Sequence, residues 1–255
     1  VERQVATYAN GAARLAELLA ASSQSVVLTG AGVSVPSGIP DFRTPEKGLW
    51  EDVDPMEVAH IDVFEGDPER FWSYYRPRFH ALGDKQPNGA HVALAELERR
   101  GLIAGVITQN IDRLHRAAGS ANVVEVHGSI DTSSCTDCGA EYLIEEVESL
   151  FDESGVALCG ACGGPVKPNV VLFGEMLPAD ALGQACALAE TAELMICVGS
   201  SLAVHPVAGL PQLTLDAGGR LALVTQGPTP YDEEAELKLD GEVDAELEAL
   251  LAALG

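Results

Sequence analysis

Gly30-Ala-Gly-Val-Ser-Val-Pro-Ser-Gly-Ile-Pro-Asp-Phe-Arg43 follows directly on Val26-Val27-Leu28, and the pairing of these two stretches decides the fold. The first is a short apolar, β-branched run that reads as a buried parallel strand. The second crowds glycines, prolines and serines into one loop, where an ordinary strand-to-helix turn needs only a few residues. Glycines just after a first strand let the backbone approach a ligand, and free N–H groups there can hold a pyrophosphate. The spacing is nevertheless G-x-G followed by Ser37-Gly38, not G-x-G-x-x-G, and no Gly-Lys-Ser/Thr occurs. Neither the usual dinucleotide fingerprint nor a nucleoside-triphosphate loop is matched. A nucleotide loop and an irregular connection both remain open on this stretch alone.

The flanking chain alternates strands with helices. Leu15, Leu18 and Leu19 mark an amphipathic helix over 2–21. Residues 45–83 are helical in pattern but broken by Pro55, Pro68 and Pro77, with Trp50, Phe64, Phe71, Trp72, Tyr74, Tyr75 and Phe79 as the core of a small domain. Asn88 can cap a helix over 91–100. Apolar strands are expected at 101–108, 123–126, 170–174, 194–198 and 221–224, with helices at 180–193 and 244–254. The acidic stretches 141–153 and 232–248 read as exposed helical faces. This alternation implies an α/β fold with a doubly wound, Rossmann-like parallel sheet. In such sheets ligands sit beyond the carboxyl ends of the strands. The Gly30 loop, Gln109-Asn110-Ile111-Asp112, His127, Gly199-Ser200-Ser201 and Thr225-Gln226 all follow strands, so they converge on one crevice.

Cys135-x-x-Cys138 and Cys159-x-x-Cys162 are separated by twenty residues, the spacing of a four-thiolate zinc site. Gly139, Gly160, Gly163 and Gly164 supply the turns that a metal knuckle needs. The alternative is two disulfides, which a reducing compartment disfavours. Four thiolates leave no open position, so such a zinc is structural. Cys186 and Cys197 read as core residues. Among the histidines, His60, His80, His91 and His205 show no acid or base partner in the pattern, and His115 reads as a helix-start contact. His127 follows a strand at the ligand edge with Gly128 giving access, and an imidazole suits a general base near neutral pH.

Across 255 residues the formal charge is −24, with four lysines against thirty-nine acidic residues. That field repels phosphate backbones and argues against nucleic-acid binding. No apolar run reaches the length that spans a bilayer, so no membrane association is expected. Val1-Glu-Arg-Gln4 lacks a basic region followed by an apolar stretch, so the expectation is a cytoplasmic protein without a secretory signal. The sequence does not fix the oligomeric state.

Six segments together resemble the sirtuin family of NAD-dependent protein-lysine deacylases: GAGVSVPSGIPDFR at 30–43, TQNIDRLH at 108–115, HG at 127–128, the two CxxC pairs, NVVLFGE at 169–175 and GSS at 199–201. The resemblance implies an NAD-binding domain formed by 1–44, 86–127 and 169–255. It implies a small domain with a helical part, 45–85, and a zinc-ribbon part, 128–168. By similarity, Ala31, Gly32 and Ser200 hold the phosphates of NAD, with Gly30, Gly199, Ser201, Thr225 and Gln226 lining the same site. Gln109, Asn110 and Asp112 place the ribose and nicotinamide, Phe42 covers the reacting centre, Arg43 lies along the loop over the cofactor, and Asp41 and Ile111 also line the cofactor site. Asn110, Asp112 and His127 are the expected catalytic residues. Val171, Phe173, Gly174 and Glu175 are expected to pair with the backbone of an acyl-lysine protein or peptide. The implied activity removes an acyl group, giving nicotinamide and O-acyl-ADP-ribose. Tyr75 and Arg78 resemble a pair that holds succinyl or malonyl carboxylates in some sirtuins, or else pack the helix. ADP-ribosyl transfer on the same fold and a non-catalytic NAD-binding zinc module are the alternatives.

Overall fold

The structure is a computed structural model that describes residues 2–41 and 54–255. Phe42, Arg43 and Trp50, and the start of the 45–85 segment, lie outside the described residues. Helix α1 (Glu2–Ala20) leads into strand β1 (Ser25–Thr29) and a 3-10 segment at Ala31–Ser37. The helical insertion follows as α2 (Pro55–Val58), α3 (Ile61–Gly66) and α4 (Pro68–Gly83). Then come α5 (Gly89–Arg99), β2 (Val106–Thr108), α6 (Leu114–Ala117) and β3 (Val123–Glu125). The ribbon holds β4 (Gly128–Cys135), β5 (Glu141–Leu143), α7 (Ile144–Val147) and β6 (Val166–Val170). The chain continues with α8 (Ala179–Thr191), β7 (Leu194–Val198), α9 (Leu210–Asp216), β8 (Arg220–Val224), β9 (Leu237–Leu239) and α10 (Val243–Leu254).

Six strands form one parallel sheet in the order β3-β2-β1-β7-β8-β9. The order runs outward from β1 in one direction and from β7 in the other, so the switch point lies between them. Both strands are buried along their whole length, which is why they read as unbroken apolar runs. Their side chains alternate: Val27, Leu194, Ile196 and Val198 face one core with α1, α5 and α10. Val26, Leu28, Met195 and Cys197 face the other with α8 and α9. Each fully buried Leu or Val contributes roughly 1.5–3 kcal/mol relative to exposure, so the two faces anchor the crevice to a rigid base. Cys197 is fully buried and Cys186 packs at its edge, as the sequence pattern implies.

The helical insertion and the ribbon share a third cluster. Phe64, Phe71, Trp72 and Phe79 pack against Ile130, Val147, Val156, Val166, Val170 and Leu172. Trp72 meets Phe79 and the ribbon's Phe151 edge-on, with ring centroids 6.1 and 5.0 Å apart. The ribbon strands are antiparallel in the order β5-β4-β6.

Several sequence expectations are corrected. Pro77 does not break its helix: α4 runs through it, with Pro77 on the exposed side. The carbonyl of Tyr74, next to the one that Pro77 cannot serve, accepts from Arg78 Nη1 at 2.7 Å. Strand β2 is shorter than 101–108, because Gly101-Leu102 ends α5 with Leu102 N–H donating to Leu97 O. The 170–174 strand lies earlier, at Val166–Val170, where Pro168 sits on the edge strand β6. Residues 171–174 instead bridge the turn after β3 and the helical insertion. Val171 N–H bonds His127 O, Phe173 N–H bonds Ala59 O, and Ile61 N–H bonds Phe173 O, each at 2.9 Å. The acidic stretches are only partly helical: Glu141–Leu143 is β5, and β9 precedes α10. A strand of three residues is too short for its alternation to be told from chance.

Candidate active site and metal centre

The four ribbon cysteines come together. Their Sγ atoms all lie within 4.8 Å of one another. Cys135 and Cys162 are 3.4 Å apart and Cys138 and Cys159 3.6 Å. A tetrahedron of thiolates about 2.3 Å from zinc has edges of roughly 3.8 Å, so this set fits the ion. All six cysteines are free, which removes the disulfide alternative. Gly139 and Gly163, with φ of 73° and 79°, turn the chain back after each CxxC. Backbone N–H groups of Ala161 and Gly164 reach Cys159 and Cys162 Sγ at 3.4 Å. Tyr142 accepts from Gly160 N–H at 3.0 Å and so turns its own hydroxyl proton to Cys159 Sγ, also 3.0 Å away. These donors stabilise thiolate charge, as outer-shell partners of a metal do.

At the switch point the loops after β1 and β7 touch. Gly32 N–H donates to Gly199 O at 2.8 Å, and Gly30 N–H to Val198 O at 3.1 Å. A Cβ on Gly32 would come within 2.7 Å of Gly199 O and 2.8 Å of Gly199 Cα. These glycines therefore permit loop-to-loop contact, rather than clearing space for a ligand as their position after β1 suggests. Among the described residues the neighbouring amides of Ala31 and Ser200 donate to no protein acceptor. Ser200 is buried, and a buried N–H without an acceptor is costly. Two such donors at a switch point fit an anionic group such as a pyrophosphate.

The loop after β2 carries Gln109, half-buried, and Asn110 and Asp112, both buried. Gln109 Nε2 donates to Ser200 Oγ at 2.9 Å, tying the two halves of the crevice. Asn110 Nδ2 donates to Gly30 O at 3.2 Å and to Ser34 Oγ at 3.1 Å. Ser34 Oγ–H donates to Asp112 Oδ2 at 2.6 Å, and Leu114 N–H to Asp112 Oδ1 at 3.0 Å. Ile111 turns to the small-domain cluster. Arg113 and Leu202, which follow the two loops, both hold left-handed φ, 68° and 51°. That costs a non-glycine residue free energy and marks both loops as held by their surroundings.

His127 ends the turn after β3. Its Nδ1 lies 2.9 Å from Gln109 O, a carbonyl that can only accept, so Nδ1 carries the proton and Nε2 is the free base. Burial pushes its pKa below 6.5, opposed by the Gln109 bond. Thr225 Oγ1 reaches Gln226 O at 3.5 Å, and Gln226 Nε2 turns outward to Glu242 at 3.1 Å. Asp41 is half-buried at the end of the described loop.

Tyr75 and Arg78 are not hydrogen-bonded to one another. Tyr75 stacks on Phe71 at 4.6 Å and leans on Phe79 at 5.2 Å, and burial raises its pKa. Arg78 lies 3.4 Å over the Tyr74 ring. Val171, Phe173 and Glu175 follow β6; Glu175 Oε2 accepts from Leu172 N–H at 2.8 Å and pairs with Lys167 at 3.0 Å. Among the described residues Val171 O and Gly174 N–H take no backbone partner.

Ser34, Thr29 and Thr108 carry no role in the sequence pattern, and His91 shows no partner in it. Thr29 Oγ1 meets Thr108 Oγ1 at 2.8 Å and His115 Nε2 at 2.9 Å, so His115, in the first turn of α6 as the pattern implies, is also a buried partner of β1. His91 is fully buried behind Ser34. The pattern Asn88-x-x-His91, a capping box, was the signal that could have found it. His80 and His60 also have partners: Glu148 at 2.9 Å and the Asp62 amide at 3.1 Å.

A doubly wound sheet with unsatisfied amides at its switch point, joined to a four-thiolate ribbon, defines an α/β nucleotide-binding protein with a structural metal. The profile of the Sir2 family matches residues 30–206, and the chain belongs to that family. An NAD-dependent protein deacetylase of Thermotoga maritima is 46% identical over 227 residues, covering 89% of this chain and 92% of its own. An NAD-dependent protein deacylase 2 of Archaeoglobus fulgidus is 45% identical, covering 89% and 90%. Solved structures agree: Sir2 with a p53 peptide and NAD+ superposes with a TM-score of 0.87 at 44% identity, covering 94% and 96%. Sir2Tm bound to a propionylated peptide gives 0.87 at 42%, covering 95% and 98%.

Proposed function

We propose that this protein is an NAD-dependent protein-lysine deacylase that uses acetyl-lysine and releases nicotinamide and O-acyl-ADP-ribose. The observation that carries the reading is the bonded set Asn110, Asp112, Ser200, Gln109 and His127 around the switch point of a Sir2-family sheet. When bound, NAD supplies an anomeric carbon from which nicotinamide departs in exchange for the acyl oxygen of the substrate.

The amides of Ala31 and Ser200 would hold the phosphates, with Gly30, Gly32, Gly199, Ser201, Thr225 and Gln226 around them. Asp41 would line the cofactor site, and the same is proposed for Phe42 and Arg43, which follow it in sequence. Asn110 and Asp112, held by Ser34, Gly30 and the Leu114 amide, would orient the nicotinamide side, and Gln109 and Ile111 would complete that wall. An amide oxygen is a weak nucleophile, so placement in contact supplies most of the rate. His127 Nε2 would accept the proton from a ribose hydroxyl. Val171 O and Gly174 N–H would pair with the substrate backbone beside Phe173 and Glu175, which gives affinity with little sequence demand. Zinc on Cys135, Cys138, Cys159 and Cys162 would staple the ribbon. Arg78 lies over the Tyr74 ring and donates through Nη1 to the Tyr74 carbonyl, which favours a neutral acyl group over succinyl or malonyl at Tyr75. Free thiols and a closed thiolate site suit a reducing compartment, which supports a cytoplasmic location. Among the described residues, no helix is long and apolar enough to cross a membrane.

Mass spectrometry of acetyl-, propionyl- and succinyl-lysine peptides with and without NAD tests the reading. Acyl loss that requires NAD and yields O-acyl-ADP-ribose is the expected result. ADP-ribosylated peptide with the acyl group retained would replace it with transferase activity.

A further inference from the structure

We propose that His91 is a positioning residue for the reaction: its Nε2–H fixes the Ser34 hydroxyl in the orientation that donates to Asp112. The inference rests on the role given to Asp112 above and adds the group that sets it.

Ser34 Oγ has three polar neighbours: Asn110 Nδ2 at 3.1 Å, Asp112 Oδ2 at 2.6 Å and His91 Nε2 at 3.4 Å. Its single proton goes to the carboxylate, which can only accept. Asn110 Nδ2 can only donate. The contact to His91 is then satisfied only if Nε2 carries a proton. The other ring nitrogen gives the same answer independently. Nδ1 lies 3.4 Å from the Asn88 N–H, a donor, and must be bare. The neutral Nε2–H tautomer is the one form that fits both ends. Burial keeps the ring neutral, pushing its pKa down to about 4 against the opposing pull of Asp112, and the two contacts choose the tautomer. The facing His115 ring, 4.9 Å away, is itself held neutral, its pKa pushed down to about 3.

The result is a one-way series from the Asn88 amide through His91 and Ser34 to Asp112. It begins in the cap of α5 and ends at the crevice. The opposite tautomer would draw the Ser34 proton toward Nε2 and leave Asp112 with one donor fewer.

Three substitutions separate positioning from helix capping. Glutamine spaces an acceptor and a donor much as the two ring nitrogens do, and both Gln and Glu at this position satisfy the cap. Glu presents an acceptor where Ser34 needs a donor. Expected are kcat/KM for NAD within about threefold of wild type for His91→Gln, and losses on the order of 10- to 100-fold for His91→Leu and His91→Glu. KM for the acetyl-lysine peptide should stay within about twofold across the series. If His91→Glu matches His91→Gln in NAD kinetics at equal melting temperature, His91 is only a cap and the proposal fails. Histidine 15N NMR of the wild-type protein alone should show His91 as the Nε2–H tautomer; an Nδ1–H signal would overturn the proposal. That measurement stands even if the wild type consumes no NAD, an outcome that would defeat the functional reading instead.

Discussion

Replacing Gly32 with alanine adds one methyl group where two loops meet backbone to backbone. The new Cβ would stand 2.7 Å from Gly199 O, 2.8 Å from Gly199 Cα and 3.0 Å from Gly199 C. No flexible side chain can yield there, since every one of these atoms belongs to the main chain just after β7. Overpacking of this kind costs about 1–3 kcal/mol. Separating the loops also weakens the Gly32 N–H to Gly199 O bond, worth about 1 kcal/mol. The sum, about 2–4 kcal/mol, corresponds to a fall in Tm of roughly 5–15 °C for a chain of this size. Gly183→Ala is the matched control: it lies in α8 with nothing within 4 Å of an added Cβ. A helical Gly-to-Ala change there should stabilise by about 0.5–1 kcal/mol. Calorimetry with acetyl-peptide turnover on both variants reads the result. A Gly32→Ala protein that melts within a degree of wild type would show that the loops do not need this contact. The reading of both glycines would then be wrong.

His127→Ala should leave Tm nearly unchanged and abolish acyl removal; full turnover in the folded variant would remove His127 from the chemistry. Chelation, or Cys159→Ser, should release one metal per chain by elemental analysis and unfold the ribbon, and retention of native circular dichroism would exclude a structural role. Arg78→Met should lower deacetylation and desuccinylation alike, because Arg78 packs on Tyr74; selective loss of desuccinylation would restore it as an acid-binding residue. Stability should fall as pH drops from about 6.5. There the unfolded chain takes up protons that buried His91 and His115 refuse until about 4 and 3, with a slope near 1.4 kcal/mol per pH unit for each. A flat profile between pH 6.5 and 4 would mean that these rings are not buried neutral.

The strands at the switch point were legible because both their faces are covered. Val26–Leu28 and Leu194–Val198 have no polar side to confuse the pattern. The zinc ligands were legible from spacing alone. What the pattern missed was decided by partners distant in sequence. Leu237–Leu239 is a strand because β8 offers an edge, not because three residues announce it. Pro77 sits inside α4 because the aromatic face on either side holds the helix against the ribbon. His91 looked like an ordinary helical residue until folding put Ser34 against its ring, 57 positions away. The described part of the Gly30 loop leaves the carboxyl end of β1, as the pattern implies, but its glycines answer to Gly199 first.

Trp72 gives the small domain a property of a different kind. It lies 2% exposed between Phe79 of the helical insertion and Phe151 of the ribbon, and the chain holds only one other tryptophan, Trp50. Indole emission responds to polarity and to nearby quenchers, so this ring registers whether the two halves of the domain are still pressed together. In a Trp50→Phe background the protein carries its own optical gauge of metal occupancy. Loss of the ion at the four thiolates, in another part of the same packed body, would be read as a red shift without any added dye.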